Sequence, residues 1–292
     1  MRSRLLTASS SVRGEARQLE RRAFLLAAQR LVPSFGIAHE AGVILVPSDE
    51  LTIRPKLFLG GKRGDFRSLR RTMTVLGEEG LQGGGTFVDV GANLGTTSLA
   101  ALGLHGFERV LAIEPDPDNA RYLRATAALN GFEERMAVFE AAAGERAGRA
   151  RFARGRADGR GRISGTGSLT ATVPDDGDVL DVRVVSIDEL VASGELDPSG
   201  VRLLWLDVQG HEGFVLRGST TVLERRVPVV AALRRWRLDR AAGRAPFVEI
   251  VREHFSRFVD LRGRPWSPAI RAIGELEARI ELGGQTDVLL LP

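Results

Sequence analysis

The sequence predicts an α/β fold built around a mostly parallel sheet, and two observations support that prediction. The first is a regular alternation of apolar runs of strand length with stretches of helix length, which begins near Gly83. Strand–helix units of this size imply parallel strands joined by right-handed crossovers, with helices on both faces of the sheet. The second is a glycine turn, Val90 to Gly95, that leads an apolar strand directly into a helix.

This alternation assigns most of the later chain to strands and helices. Strands are expected at residues 86–90, 110–113, 138–142, 181–185, 201–206, 227–233, 255–261 and 286–291. Helices are expected at residues 94–104, 118–129, 187–192 and 212–223. Residues 144–178 are rich in Gly, Arg, Ser and Thr and show no helical period. They fit either a mobile surface insertion or a lid that lines a site, because long loops in compact domains are often functional.

Residues 1–80 form an N-terminal extension that precedes the predicted domain at residues 81–292. Its first helix, which Pro33 ends, has apolar residues on one face at Leu19, Ala23, Phe24, Ala27 and Leu31. Short strands at 42–46 and 51–53, a turn at 57–61 and a helix at 65–76 with Asp65 as N-cap are expected to follow. From its position alone, we expect the extension to be a cap over the site or a dimerisation element.

Composition narrows the classes of function. The 292 residues include no cysteine, which excludes disulfides, a thiolate nucleophile and a cysteine zinc site. The net charge is +4 with a pI of about 10.4, and lysine occurs only at Lys56 and Lys62, so 39 of the 41 basic residues are arginines. Their spread along the chain fits GC-rich coding better than a binding stripe. Only the arginines at residues 146–162, in the insertion beside the predicted site, fit a functional role. Their charge could attract a ligand to the site or belong to a lid over it.

Two acidic residues at the ends of neighbouring strands predict a nucleoside site. Gly91 and Gly95 allow the backbone to approach a ligand, and the helix that follows offers free N–H groups. Asn93 replaces the second glycine of the dinucleotide fingerprint, and Asp89 would repel a pyrophosphate but suits a cationic amine. Glu114 follows Asp89 by 25 residues and can accept hydrogen bonds from both hydroxyls of a ribose.

These residues resemble those of the class I S-adenosylmethionine-dependent methyltransferases and, more narrowly, of the FkbM family. The resemblance rests on FVDVGANLGTTSLA, AIEPDPDNARYLRATAALNG, LLWLDVQGHEGFVLRGS with VPVV, and the closing TDVLLL, and it covers residues 40–292. The block DVQGHE is the feature that narrows it to the family. The resemblance implies a Rossmann-like, seven-stranded sheet with an antiparallel last strand, S-adenosylmethionine as methyl donor, and usually a hydroxyl oxygen as acceptor.

The resemblance also implies the residues of the cofactor site. They are Asp89, Gly91, Ala92, Asn93, Gly95, Glu114, Pro115, Asp116, Ala142, Ala143, Ser168 and Asp207. The turn residues would surround the methionine part of the cofactor, and Glu114 would hold the ribose, with Pro115 and Asp116 shaping the wall beside it. Ala142 and Ala143 would lie near the adenine. Ser168 resembles a serine that the family often keeps in the insertion.

Asp207 and His211 are the candidate catalytic residues. They belong to the block that follows the strand at 201–206, at the same edge of the sheet as the glycine turn. Methyl transfer to an alcohol depends mainly on positioning, but the acceptor must lose a proton to a nearby base. His211 has the more suitable ordinary pKa, and a polar residue at a helix start is the alternative explanation for it. Glu212 fits a helix cap or a backbone contact.

The strand at 227–233 departs from the family pattern. Ala231 and Ala232 stand where the family commonly has a glutamate after VPVV, which leaves the identity of the acceptor open. Three arginines follow, Arg234, Arg235 and Arg237. They fit either solvated surface charge or a site for an anionic acceptor.

The predicted function is transfer of a methyl group from S-adenosylmethionine to a hydroxyl of a small molecule, natural product or saccharide. No spaced set of metal ligands is visible, and the sequence leaves open whether a divalent metal assists. An RNA methyltransferase or nucleic-acid-binding protein is the first alternative, against which stand the 6% aromatic content and the lack of a recognisable RNA-binding motif. A nicotinamide-dependent oxidoreductase is the second, against which stands the missing GxGxxG. With no signal peptide or membrane-spanning run, we expect a cytoplasmic enzyme, with a homodimer left open.

Overall fold

A computed structural model describes residues 18–50, 57–59, 64–81, 83–156, 163–169, 178–262, 269–282 and 285–292. The strands are β1 Ser34–His39, β2 Gly42–Pro47, β3 Thr86–Val90, β4 Arg109–Glu114, β5 Met136–Glu140, β6 Ala142–Ala143, β7 Gly148–Arg156, β8 Ile163–Leu169, β9 Val179–Val185, β10 Val201–Leu206, β11 Val229–Arg234, β12 Arg257–Asp260, β13 Arg271–Ala272 and β14 Gln285–Leu291. The helices are α1 18–31, α2 Gly64–Glu78, α3 Thr96–Leu104, α4 Pro117–Leu129, α5 Ile187–Ala192, α6 Glu212–Arg217, α7 Thr220–Leu223, α8 Arg235–Arg240, α9 Arg244–His254 and α10 Leu276–Glu281.

The central sheet has the strand order β13-β12-β14-β11-β10-β3-β4-β5. Strands β3, β4, β5, β10 and β11 run parallel, whereas β14 is antiparallel to both of its neighbours, β11 and β12. The predicted α/β architecture with an antiparallel last strand is therefore confirmed. The two-residue β13 extends one edge beyond the seven strands that the sequence predicted.

Burial on both faces explains why the central strands are continuous apolar runs. In β10, Leu203 and Trp205 pack on one side of the sheet together with Phe87, while Leu206 packs on the other side with Val90. Parallel sheets covered by helices on both faces have this pattern. The carboxyl ends of β3, β4, β10 and β11 meet at one edge, which is where ligands bind in open α/β sheets.

The N-terminal extension folds into α1, a β-hairpin and α2. Strand β2 confirms the strand predicted at 42–46, but its partner is β1, which was not predicted. The strand predicted at 51–53 lies outside the described residues, and residues 57–59 of the predicted turn form a helical turn. Helix α2 confirms the helix predicted at 65–76, and the side chain of Asp65, its predicted N-cap, lies outside the described part.

Helix α1 forms where it was expected, but it buries a different face. Leu19, Phe24 and Leu31 of the predicted face are 66%, 47% and 78% exposed, whereas Leu25 and Ala28 are buried. The helix carries apolar residues on more than one side, so their spacing alone could not show which side packs.

The hairpin of the extension is attached to α4. Nδ2 of Asn130, at the end of α4, donates to the carbonyl of Val43 at 2.7 Å, and Oδ1 accepts from the N–H of Val43 at 2.8 Å. Ile44 and Val46 are buried in the same cluster as Leu99 of α3. The extension and the central sheet therefore share one hydrophobic core.

The insertion at 144–178, for which the sequence showed no helical period, contains a β-hairpin. Strands β7 and β8 pair antiparallel and join β9 and β6 in a second sheet of order β6-β9-β7-β8. Exposed Arg151 alternates with buried Phe152, which is the two-residue period of a half-buried strand. The high arginine and glycine content obscured this period. Residues 157–162 and 170–177 lie outside the described residues.

Five further elements differ from expectation. The strand predicted at 138–142 is divided between β5 in the central sheet and β6 in the second sheet. The helix predicted at 212–223 breaks at Gly218, where a Cβ atom would overlap the carbonyl oxygen of Gly144. Helices α8, α9 and α10 were not predicted. Among the helices that the structure describes, none has the length and apolar character needed to cross a membrane.

Candidate active site

The glycine turn after β3 has a left-handed backbone at three positions. Gly91, Asn93 and Gly95 have φ angles of 82°, 55° and 84°. Glycine adopts this conformation at little cost, and asparagine tolerates it because its side chain bonds locally, here accepting from the N–H of Leu94 at 2.8 Å. A Cβ atom at Gly91 would overlap the carbonyl oxygen of Asp207. The turn after β3 and the loop after β10 are therefore in direct contact.

Hydrogen bonds to β4 and α3 hold this turn in place. The N–H groups of Gly91 and Ala92 donate to the carbonyl of Ile113 at 2.9 and 3.2 Å. Asp89 is buried, and its Oδ2 accepts a 2.6 Å hydrogen bond from the hydroxyl of Ser98 in α3. The carboxylate of Asp89 thus joins the strand before the turn to the helix after it.

Glu114, at the end of β4, is buried beside this turn. Its Oε2 accepts from the N–H of Asn93 at 2.8 Å, and its Oε1 accepts from the N–H of Asp116 and from Nδ2 of Asn119, both at 3.1 Å. Burial nevertheless raises the pKa of Glu114 to about 7, because the lost hydration outweighs these donors. A carboxylate accepts about four hydrogen bonds. The three bonds therefore leave room for a ligand hydroxyl.

Asp116 caps α4 and also contacts the insertion. Its Oδ1 accepts from the N–H of Asp118 at 2.9 Å and from Nη2 of Arg154 in β7 at 2.8 Å. Arg154 also contacts the carboxylates of Asp118 at 2.9 Å and Asp178 at 3.1 Å. A side chain of the hairpin therefore fixes the segment, Pro115 and Asp116, that was expected beside the ribose.

The residues expected near the adenine belong to the second sheet. Ala142–Ala143 form β6 and are buried. The N–H of Ala141 donates to the carbonyl of Glu114 at 3.1 Å, so this segment adjoins the end of β4. Ser168 lies opposite Ala153 of β7, and its side chain is outside the described residues.

The loop after β10 is packed closely against α8. Gln209 has a φ of 60° and donates from Nε2 to Oδ1 of Asp207. The N–H of Gly210 donates to both carboxyl oxygens of Glu212, at 3.2 and 3.1 Å. A Cβ atom at Gly210 would overlap the carbonyl oxygen of Arg237 in α8. Glycine at this position therefore allows the loop to lie directly on the helix.

His211 is the N-cap of α6 and Glu212 is its first residue, and burial shifts their pKa values in opposite directions. Burial lowers the pKa of His211, so the imidazole is neutral at pH 7. Its Nδ1 is buried and has no hydrogen-bond partner in the described part of the chain. Burial raises the pKa of Glu212 to about 7, and the nearby charge of Asp207 adds to the shift. The buried carboxyl of Glu212 accepts from the N–H of Gly210 and so holds the backbone of the loop after β10.

Four residues at this edge received little or no weight from the sequence. Gln209 lies within DVQGHE, so its position was marked but its bond to Asp207 was not predicted. Ser98 and Arg154 meet their aspartate partners across a turn and a hairpin, and no local pattern shows those contacts. The sequence allowed Arg237 to be either solvated surface charge or part of a site for an anionic acceptor. The packing of α8 leaves Arg237 half-buried and Arg235 exposed, and the sequence does not show this difference.

A cavity of about 370 Å³ lies beside the ribose segment, between the N-terminal extension and α4. Pro47 and Asp49 of the extension line one side of the cavity. Asp116, in the turn before α4, and Asn119, in α4, line the other side. Asp116 and Asn119 both contact Glu114, so the cavity adjoins the end of β4. Within the described residues, no group of three or more histidine, aspartate or glutamate side chains is arranged to hold a metal ion.

Three features define a class I S-adenosylmethionine-dependent methyltransferase. They are the strand order of the central sheet, the glycine turn after β3, and Glu114 at the end of β4. The sequence matches the methyltransferase FkbM domain over residues 89–261, which is more than half of the chain. The chain therefore belongs to the FkbM methyltransferase family.

Matches among solved structures include three methyltransferases. Methyltransferase FkbM from Methylobacillus flagellatus KT is 20% identical to this chain, with a TM-score of 0.42. The match covers 71% of this chain and 43% of the Methylobacillus protein, so this chain spans less than half the length of that protein. The O-methyltransferase from Bacillus cereus in complex with SAH is 12% identical, with 78% and 80% covered and a TM-score of 0.39. Geranyl diphosphate methyltransferase in complex with SAM is 14% identical, with 82% and 88% covered and a TM-score of 0.42. No curated protein sequence matches the chain.

Proposed function

We propose that this protein transfers a methyl group from S-adenosylmethionine to a hydroxyl group of a small molecule, natural product or saccharide. The observation that supports this most directly is the contact between Gly91, after β3, and the carbonyl of Asp207, after β10. This contact brings the glycine turn, which we propose binds the cofactor, next to Asp207, which we propose positions the acceptor. Methyl transfer needs the donor and the acceptor in line and in contact, so neighbouring sites for the two support the proposal.

The residues after β3 and β4 fit the cofactor. Left-handed conformations at Gly91, Asn93 and Gly95 allow the backbone to lie close to a ligand. Glu114 offers its remaining acceptor capacity to the hydroxyls of a ribose. The remaining members of the proposed cofactor site are Asp89, Ala92, Pro115, Asp116, Ala142, Ala143, Ser168 and Asp207. When bound, S-adenosylmethionine supplies an electrophilic methyl group carried by a sulfonium ion.

On the acceptor side, His211 is the proposed general base. Burial lowers its pKa and so favours the neutral imidazole, and we propose that its buried Nδ1, which has no hydrogen-bond partner among the described residues, takes the proton of the bound hydroxyl. Asp207 is partly exposed, and Gln209 holds its carboxylate in one orientation. We assign Asp207 to positioning of the acceptor, next to the glycine turn that it contacts.

We further propose that the N-terminal extension and the insertion enclose the cofactor side. Pro47 and Asp49 of the extension line the cavity that also contains Asp116. Arg154 of the insertion contacts Asp116 from the other sheet. Both segments therefore converge on Asp116, two residues after Glu114, the proposed ribose ligand.

Calorimetric titration with S-adenosylmethionine and S-adenosylhomocysteine tests the proposed function. The wild type is expected to bind both, and Glu114→Ala is expected to lose binding. Glu140→Ala is the matched control, because Glu140 pairs with Glu114 in the sheet register but is exposed and bonded to Arg124. Absence of binding by the wild type at millimolar ligand would contradict the proposal. Labelled donor, incubated with the protein and fractionated metabolites, then identifies the acceptor.

A further inference from the structure

Three buried polar atoms are grouped around the loop after β10. They are Oε1 of Gln209, Nδ1 of His211 and Nε of Arg237, and none has a hydrogen-bond partner among the residues that the structure describes. Buried polar atoms in folded proteins are almost always hydrogen-bonded, so each exception requires an explanation. Nε of Arg237 is the one hydrogen-bond donor of the three, because Oε1 of Gln209 accepts and Nδ1 of His211 accepts in its proposed role as base. The unpartnered guanidinium is therefore the group that points to an anionic ligand.

Two of the arginines at this place are unpaired, although their neighbour is not. Arg235 is exposed and pairs with Glu281 at 3.0 Å and Asp239 at 3.6 Å. Over the ranges that the structure describes, Arg234 and Arg237 form no ion pair. Solvated surface charge therefore describes Arg235 but leaves the half-buried Arg237 unexplained.

The surroundings of Arg237 are unfavourable for its charge. Burial, and then the charge of Arg234, lower the pKa of the guanidinium, while Asp207 and Glu212 attract it from beyond ion-pair distance. An arginine side chain keeps its charge in proteins, so it cannot relieve this environment by losing a proton. The guanidinium carbon lies 4.9 Å from the ring centroid of Trp236, within the range of a cation–π contact. An oxyanion bound at its edge would compensate the charge.

The arginines lie on the acceptor side of the sheet edge. Strand β11, which ends at Arg234, neighbours β10 on the side away from β3 and β4. The glycine turn and Glu114 follow β3 and β4, so the cofactor residues and the arginines flank the Asp207 loop from opposite sides. Gly210 of that loop packs on the backbone of Arg237.

We propose that Arg234 and Arg237 form a subsite for an oxyanion of the methyl acceptor, beside the loop that carries the proposed base His211. The acceptor is then a hydroxyl compound that also carries a carboxylate or a phosphate group. Planar guanidinium groups bind both oxyanions through paired hydrogen bonds, so the two sources share one chemistry. This inference rests on the proposed methyl transfer and narrows its substrate class.

Calorimetry on the complex with S-adenosylhomocysteine tests the subsite, with three sugars as probes: glucuronate, glucose 6-phosphate and glucose. We expect at least one acidic sugar to bind about tenfold more tightly than glucose, a difference that charge-assisted hydrogen bonds readily supply. Preference for glucuronate would identify a carboxylate as the group recognised, and preference for glucose 6-phosphate a phosphate. Equal affinity for the three sugars, or no binding of any, would overturn the inference.

Variants on α8 separate the subsite from the rest of the site. Arg237→Gln should abolish the preference for the acidic sugar, Arg237→Lys should keep part of it, and Arg235→Gln should leave it unchanged. Binding of S-adenosylhomocysteine should persist in all three, which also shows that they fold. Should Arg237→Gln not fold, Arg234→Gln makes the same test. A preference that survives both glutamine variants would overturn the inference, whereas failure of the wild type to bind S-adenosylhomocysteine would instead contradict the proposed function.

Discussion

Nη2 of Arg154, in the insertion hairpin, donates to Oδ1 of Asp116 at 2.8 Å, and the two side chains are only 11% and 5% exposed. The N–H of Asp116 in turn donates to Oε1 of Glu114 at 3.1 Å. The second sheet is therefore coupled through one residue to the carboxylate proposed to hold the ribose. Buried charged pairs add little net stability but fix geometry, so this contact is expected to influence ligand binding.

Arg154→Leu is expected to weaken binding of S-adenosylhomocysteine by about tenfold, because Asp116 loses its buried partner and no longer holds the turn beside Glu114. Calorimetry measures the change, and Arg154→Lys should recover part of it. Arg149→Leu is the control, since Arg149 lies on the same strand and pairs with Asp181 at 2.9 Å with both side chains largely exposed. Equal losses in the Arg149 and Arg154 variants would show that the hairpin acts through its fold alone.

Gly91→Ala tests the contact between the two turns. A side chain there must adopt a φ of 82° and would also overlap the carbonyl oxygen of Asp207. We expect a loss of about 2–4 kcal/mol in the free energy of unfolding, together with loss of cofactor binding. Gly106→Ala is the matched control, because Gly106 has a φ of 70° but open space around its Cβ position. It should cost about 1 kcal/mol in urea titrations and leave binding intact.

Binding of the cofactor should strengthen as the pH rises through about 7. The pKa of Glu114 is raised to about 7 by burial, and hydroxyl donors from a ribose would favour its ionised form. Below this pKa the carboxyl is protonated, so binding must also release a proton. We expect the affinity for S-adenosylhomocysteine to fall roughly tenfold for each pH unit below 7 and to level off above it.

Glu114→Gln provides the control for this pH dependence. The variant cannot ionise, so it should bind more weakly and with a flat dependence on pH at this position. Any titration of the ligand itself appears equally in the wild type and the variant, and the comparison removes it. A wild-type curve parallel to that of the variant would contradict the role given to Glu114.

Local patterns were sufficient to predict the central strands and the position of Glu114 at the end of β4, whereas Asp89, expected in the turn, lies buried within β3. Runs such as β3 and β10 are buried on both faces, so their apolar character alone marks their bounds. The glycine turn was visible because positive φ angles favour glycine and asparagine at fixed spacing. These signals need no knowledge of the rest of the fold.

Contacts between distant segments account for what the sequence could not show. The bond between Arg154 and Asp116 depends on the pairing of β7 with β9, which brings the hairpin to the end of β4. The exposed face of α1 and the unpaired charge of Arg237 depend on which neighbours pack against them. Composition predicted a loop at 144–178 because arginine masks the two-residue period of β7.

The N-terminal extension is expected to be required for a stable domain. Ile44 is fully buried in the cluster that contains Leu99, whereas Leu26 of α1 is 67% exposed. Ile44→Ala should lower the free energy of unfolding by about 2–4 kcal/mol, and Leu26→Ala by less than about 0.5 kcal/mol. A chain that begins at residue 80 should accordingly be insoluble or fail to bind S-adenosylhomocysteine. Full solubility and binding by that truncated chain would show that the extension is dispensable.

Glu212→Gln is expected to stabilise the protein above neutral pH. The carboxyl of Glu212 is fully buried and its pKa is raised to about 7, so the folded state holds its proton while the unfolded state releases it near the ordinary pKa. An acid with a raised pKa contributes most to stability below its unfolded pKa, and that contribution is lost as the pH rises to the folded pKa. At about pH 8 the cost reaches at most roughly 3 kcal/mol by this linkage.

Glutamine removes that cost and keeps an oxygen to accept from the N–H of Gly210, which bonds both oxygens of the native carboxyl. Urea titrations at about pH 5 and about pH 8 should show similar stability for variant and wild type at the lower pH, and a more stable variant at the higher pH. Glu224→Gln, at an exposed position, should have the same stability as the wild type at both pH values. If Glu212→Gln is less stable than the wild type at both pH values, the ionised carboxylate itself holds the loop, and Gly210 requires its charge.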